Sequence, residues 1–102
     1  MRIISPSLLS ADFRYIAENI AQIVDAGAKR LHLDVMDGHF VPSLTFGPMI
    51  IQAIRKCTKC HLEIHLMIQD PHKSIDQYID LLIYEDSESS DAFLNGIVYI
   101  YE

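Results

Sequence analysis

Two strand-like stretches hold the side chains able to do chemistry. In LHLDVM (31–36), His32, Asp34 and Met36 alternate with Leu31, Leu33 and Val35. In HLEIHLM (61–67), Glu63, His65 and Met67 alternate with Leu62, Ile64 and Leu66. A period of two sends successive side chains to opposite faces of a β-strand. Each stretch therefore has one aliphatic face and one face of imidazole, carboxylate and thioether. Residues two apart along a strand are about 6.6 Å apart, and parallel neighbours about 4.8 Å, so His32, Asp34 and His65 can converge on one point. Two imidazoles and a carboxylate suit a divalent Zn, Fe, Mn or Co ion, and such an ion would resolve the cost of placing Asp34 in a segment otherwise fit for burial. On spacing alone the blander outcome is the commoner one: hydrogen-bonded core histidines, a structural carboxylate, and Met36 and Met67 as packing.

Two further motifs compete for attention. CTKCH (57–61) matches the C-x-x-C-H pattern of haem attachment and offers thiolates for zinc. It lies in a helix-to-strand connection with no second cysteine pair, and reads as a reduced surface turn. DGHF (37–40) reads as a turn in which Gly38 serves backbone geometry and His39 is a loop residue.

The elements that must position these side chains follow from periodicity. Residues 2–5 are short and β-branched, a first strand ended by Pro6. Ser10 or Asp12 can cap a helix in which Phe13, Ile16, Ala17, Ile20, Ile23 and Val24 recur at helical spacing, with Gly27 just past its end. Residues 30–36 form the next strand, Pro48 opens a helix over 49–56, and 61–67 form another strand. Pro71 opens a third helix carrying Ile75, Tyr78, Ile79 and Leu82. Alternating strands and helices predict right-handed βαβ units and a parallel sheet. Residues 1–83 form this unit. The remainder, 84–102, is expected to be a divergent tail, an acidic loop (YEDSESSDAF) followed by a short strand in IVYIYE.

The 102 residues carry a formal net charge of −6, which gives no general support for binding nucleic acid. An anionic ligand would need local backbone N–H groups or a metal. There is no apolar run of about 18 residues, so no membrane span is expected. The N-terminus does not read as a signal peptide, so a cytoplasmic location with reduced cysteines is expected.

SPSLLSADF, AGA, LHLDVMDGHFVPSLTFGP and EIHLMIQDP, in this unbroken order over about residues 2–79, strongly resemble the N-terminal part of the ribulose-phosphate 3-epimerase family. The resemblance implies an α/β fold, a TIM (β/α)8 barrel of which these residues make the first three or so β/α units. It implies metal-dependent interconversion of D-ribulose 5-phosphate and D-xylulose 5-phosphate, in the pentose phosphate pathway. Carried over by position, His32, Asp34 and His65 match metal ligands, and Asp34 also matches the base that takes the proton at C3. Ser7 and His65 match substrate contacts, and Met36 and Met67 match methionines lining the reacting carbons. Full-length members are expected to be homo-oligomers. A metal held by the ketone and hydroxyl oxygens would stabilise the enediolate formed there.

The resemblance also marks departures. A whole barrel takes about 250 residues, and the family's second metal-binding Asp (the expected acid), its Gly-rich phosphate loop and a third methionine match nothing in these residues. A frameshifted or misassembled gene end, a spliced variant and a divergent pseudogene product all fit these departures, and the polypeptide alone is expected not to turn over. Ser43 and Glu63 stand where the family usually has Asn and Asp; Glu63 remains acidic and is expected to keep a supporting role behind the metal ligands. The alternatives are a related ketose-phosphate 3-epimerase, such as one for allulose 6-phosphate, and a non-catalytic fragment that pairs through open sheet edges.

Overall fold

The computed structural model describes residues 4–83 and 95–100. Three strands, β1 (Arg30–Met36), β2 (His61–Met67) and β3 (Gly96–Ile100), form one parallel sheet in the order β1-β2-β3. Three helices, α1 (Ile16–Asp25), α2 (Pro48–Cys57) and α3 (Ile75–Leu81), follow the alternating order expected. Leu31, Leu33 and Val35 of β1 and Leu62, Ile64 and Leu66 of β2 are all buried. They form one core cluster with Ile20 of α1, Ile51 and Ile54 of α2, Tyr78 of α3, and Leu8 and Leu82. Each such aliphatic side chain taken fully out of water contributes about 1.5–3 kcal/mol. The aliphatic half of the period-two pattern therefore fixes which face of the sheet the helices cover.

The helix ends follow local chemistry. Gly27 has φ +111°, a region L side chains rarely adopt. Its N–H donates to the Val24 carbonyl (3.0 Å) and the Ala28 N–H to the Ile23 carbonyl (3.2 Å), closing α1 with a Schellman pair. Pro48 is the first residue of α2, where a missing N–H costs nothing.

Three expected boundaries shift. Ile4 and Ser5 are not in a strand; instead the Pro6 carbonyl accepts from the His32 N–H at 2.8 Å, and Ser7 makes an isolated parallel bridge to His32. Pro6 has no N–H with which to extend a ladder, and the chain turns at once into a 3-10 turn, Leu8–Ser10. Residues 2 and 3 lie outside the described residues. Phe13–Tyr15 is a 3-10 turn capped by the Asp12 side chain, and α1 begins only at Ile16. Pro71 opens a 3-10 turn, Pro71–Lys73, after Asp70 in the left-handed region (φ 49°), and α3 starts at Ile75.

β3 lies in the apolar run near the C-terminus; the acidic loop expected before it falls at 84–94, outside the described residues. Besides its ladder to β2, β3 is fastened by two further features, Arg55 and Gly96. Arg55 is buried at 4% exposure, and its guanidinium donates to four carbonyls: Leu82 (3.0 Å), Asn95 (3.2 Å), Thr58 (2.7 Å) and Cys60 (2.6 Å). It gathers the end of α3, the start of β3 and the α2–β2 connection. Gly96 pairs with Leu62, and a Cβ there would run into the Leu62 carbonyl and lie 2.7 Å from Leu82 Cδ2. Gly96→Ala should therefore lower stability by about 1–3 kcal/mol in urea denaturation, through the β2–β3 pair. An unchanged unfolding midpoint would show that β3 does not pack in this way.

Candidate metal centre

The register of β1 against β2 builds the site. Asp34 pairs with His65, His32 with Glu63 and Met36 with Met67. Paired residues of an in-register parallel pair project from the same face at the same level, so three rows of side chains stand on the face away from the helices. His32 Nε2 lies 2.9 Å from Asp34 Oδ1, and His65 Nδ1 lies 3.2 Å from the same oxygen. The two imidazoles stand edge to face, with centroids 5.8 Å apart. One ligand atom from each of His32, Asp34 and His65 lies within 4.8 Å of the others, and all three residues are half-buried. Two ring nitrogens and a carboxylate oxygen, convergent and only partly hydrated, form a donor set that fits a divalent transition-metal ion.

Glu63 supports the row below. Its Oε1 lies 3.4 Å from His32 Nδ1 and accepts the Ser5 hydroxyl, and its Oε2 accepts from Arg30 at 3.4 Å. Burial pushes this carboxyl up, but the hydrogen bonds from Ser5, His32 and Arg30 and the charge of His32 together hold it below the usual glutamate range. Thr45 fastens the backbone of β1 from its outer edge. Its hydroxyl donates to the Asp34 carbonyl (2.7 Å) and accepts from the Met36 N–H (3.0 Å).

Just past β1, Asp37 joins two loops. Oδ1 accepts from the His39 and Phe40 N–H groups and Oδ2 from the Gln69 N–H, each at 2.9 Å. The turn expected at DGHF is thus present, with Gly38 at φ +75°. Its carboxylate reaches across to the loop after β2.

Of the residues singled out by sequence, His32, Asp34 and His65 are brought together. Met36 and Met67 form the adjoining row, both half-buried. Ser7 is exposed beside β1, its Oγ accepting from the Leu9 N–H at 3.3 Å. Cys57 is exposed at the end of α2, and the half-buried Cys60 thiol, raised chiefly by burial, points to the Ala28 carbonyl at 3.9 Å. Among the described residues the His32, Asp34, His65 trio is the one group of three or more such side chains with metal-ligating geometry. Thr45, Asp37 and Arg30 were not legible as part of the site. A D-G pair after a strand signals a turn, but nothing local says which backbone its carboxylate will hold.

Comparison with known proteins decides the family. The profile described as "Ribulose-phosphate 3 epimerase family" matches residues 3–95. The chain belongs to this family. The match extends past residue 79, the limit of the resemblance carried by the motifs. A relative named ribulose-phosphate 3-epimerase from Rhodobacter capsulatus is 51% identical over 77 residues, covering 76% of this chain and 32% of its own length. One of the same name from Synechocystis sp. is 49% identical over 76 residues, covering 74% of this chain and 33% of its own length. A third, from Chlamydia pneumoniae, is 42% identical over 101 residues, covering 93% of this chain and 44% of its own length. The chain thus spans about a third to under a half of these relatives. The family is a TIM barrel, and the parallel three-stranded sheet with its alternating helices is a part of that α/β architecture.

The Asp37 clasp has a definite pH dependence. The Gln69 N–H foremost, then the His39 and Phe40 N–H groups, hold its carboxyl below the ordinary aspartate value against some desolvation. A depressed carboxyl stabilises the fold above its unfolded pKa of about 3.9, and that contribution is lost as pH falls through the folded value. Amide-exchange protection at Gln69 should therefore hold at pH 6, fall below about pH 4, and be lost at pH 6 in Asp37→Ala. Unchanged protection in that variant would contradict the clasp.

Proposed function

We propose that the protein carrying this chain interconverts D-ribulose 5-phosphate and D-xylulose 5-phosphate. His32, Asp34 and His65 hold one divalent ion (Zn, Fe, Mn or Co), and Asp34 is the base for the C3 proton. The observation that carries this reading is the Asp34–His65 pair. One carboxylate oxygen is shared by two imidazoles on an open, half-buried strand face, in a chain that belongs to a family of such epimerases.

The chemistry follows from what each residue offers. A proton on the carbon beside a ketone is weakly acidic, and its removal leaves negative charge on the neighbouring oxygens. A divalent ion, when bound, supplies positive charge next to those oxygens. Asp34 takes the proton on one face of the flattened C2–C3 unit, with its carboxylate oriented by the two imidazoles and its backbone by Thr45. Epimerisation then requires an acid on the opposite face, a role assigned to none of the described residues. Met36 and Met67 present thioethers that neither give nor take a proton, so they wall the reacting carbons without returning the proton to the wrong face. Ser7, from the edge beside β1, and His65, on β2, contact substrate.

No helix among the described residues is long and apolar enough to cross a membrane, and the net charge of −6 disfavours nucleic acid. We place the protein in the cytoplasm, as a homo-oligomer when full length, acting on a small anionic sugar. A rice relative is named a cytoplasmic isoform and an Arabidopsis relative chloroplastic.

Calorimetric titration with Zn²⁺ tests the ligand set. One site is expected, weakened by more than about 100-fold in Asp34→Ala, beyond the loss typical of a merely supporting residue. Equal affinity in that variant would contradict the reading. With zinc bound, saturation-transfer NMR from the Met36 and Met67 methyls should reach the C2–C4 region of ribulose 5-phosphate, and no transfer would count against the substrate. The 102-residue chain alone should form no xylulose 5-phosphate above a protein-free control; turnover would show that it holds its own acid.

A further inference from the structure

We propose that Glu63 is a positioning residue for the metal centre: it grips His32 at Nδ1 and so turns Nε2 toward Asp34 and an incoming cation. The inference rests on the metal-site reading above and adds to it a residue that touches neither metal nor substrate.

Three observations carry it. Glu63 is buried at 8% exposure, yet both its carboxylate oxygens are engaged. It faces the one ring nitrogen of His32 that does not face Asp34: Nδ1 to Glu63 at 3.4 Å, Nε2 to Asp34 at 2.9 Å. Its own position is set from two sides, by the Ser5 hydroxyl on Oε1 and by Arg30 on Oε2. An imidazole on a strand can flip about its last torsion, exchanging which nitrogen faces the metal. A carboxylate anchored on one nitrogen fixes the ring orientation and makes the other a better donor. The in-register pairing of His32 with Glu63 places the anchor beside the ring it holds, one row below the Asp34–His65 pair.

The test uses the 102-residue chain and zinc alone. Zn²⁺ affinity is measured for the parent, Asp34→Ala, Glu63→Ala, Glu63→Gln and Ser5→Ala, with circular dichroism confirming that each variant is folded. We expect Glu63→Ala to weaken zinc by about 10–100-fold. Glu63→Gln, whose amide oxygen can still accept from Nδ1–H, should lose less, and Ser5→Ala should shift in the same direction by a smaller factor. Long-range ¹H–¹⁵N NMR of the zinc-loaded parent should place the His32 ring proton on Nδ1, a signature that a general loss of packing would not produce. Parent-like affinity in Glu63→Ala, or a His32 proton on Nε2, overturns the proposal. If Glu63→Ala does not fold, Glu63→Gln decides, and affinity equal to the parent's overturns it. A parent chain that binds no zinc, or binds it unchanged in Asp34→Ala, would defeat the metal-site reading itself, which separates the two failures.

Discussion

Everything in this site depends on one register. β1 and β2 run parallel with Asp34 directly opposite His65. A shift of a single residue would turn every side chain of one strand to the other face. It would bring leucines onto the polar face and place His65 or Asp34 among the helices. The register is held by the aliphatic face. Leu31, Leu33, Val35, Leu62, Ile64 and Leu66 are all at or near zero exposure, so the hydrophobic energy of the core is also what aims His32, Asp34 and His65 at one another. Packing and site geometry are not separable here.

The polar face carries the opposite problem. It places two carboxylates, Asp34 and Glu63, on a half-buried surface. Each is compensated by neighbours rather than by bulk water. Asp34 shares one oxygen between two imidazoles, while Glu63 is surrounded by Ser5, Arg30 and His32. These groups connect the segment before Pro6, β1 and β2, so the electrostatic needs of the polar face fix side-chain orientations that hydrophobic packing alone would leave free. Thr45 and Asp37 do comparable work on the backbone, one at the outer edge of β1 and one between the two loops that follow β1 and β2.

How much of this was legible in the sequence depends on the range of the interaction. The strands at 30–36 and 61–67 were readable because period-two alternation is local and strong, and the in-register geometry then brings His32, Asp34 and His65 together as their spacing allowed. Ile4 and Ser5 fall outside the strand expected at 2–5, and the helix starts at Phe13 and Pro71 were displaced, because 3-10 turns and a proline carbonyl bridge are decided by a few hydrogen bonds that periodicity does not encode. Arg55 was invisible as a structural hub: a lone arginine in an amphipathic helix reads as a solvated charge, and only the fold reveals four carbonyls converging on it. The partners of Glu63 and Asp37 were hidden for the same reason, since they come from segments remote in sequence.

In the proposed function, a cation on this chain is held by His32, Asp34 and His65 and not by the cysteines of CTKCH. Zinc K-edge X-ray absorption of the zinc-loaded chain tests it directly. Nitrogen and oxygen neighbours at about 2.0–2.1 Å are expected, with the more distant scattering of two imidazole rings. A sulfur shell at about 2.3 Å would contradict it and move the metal to Cys57 and Cys60.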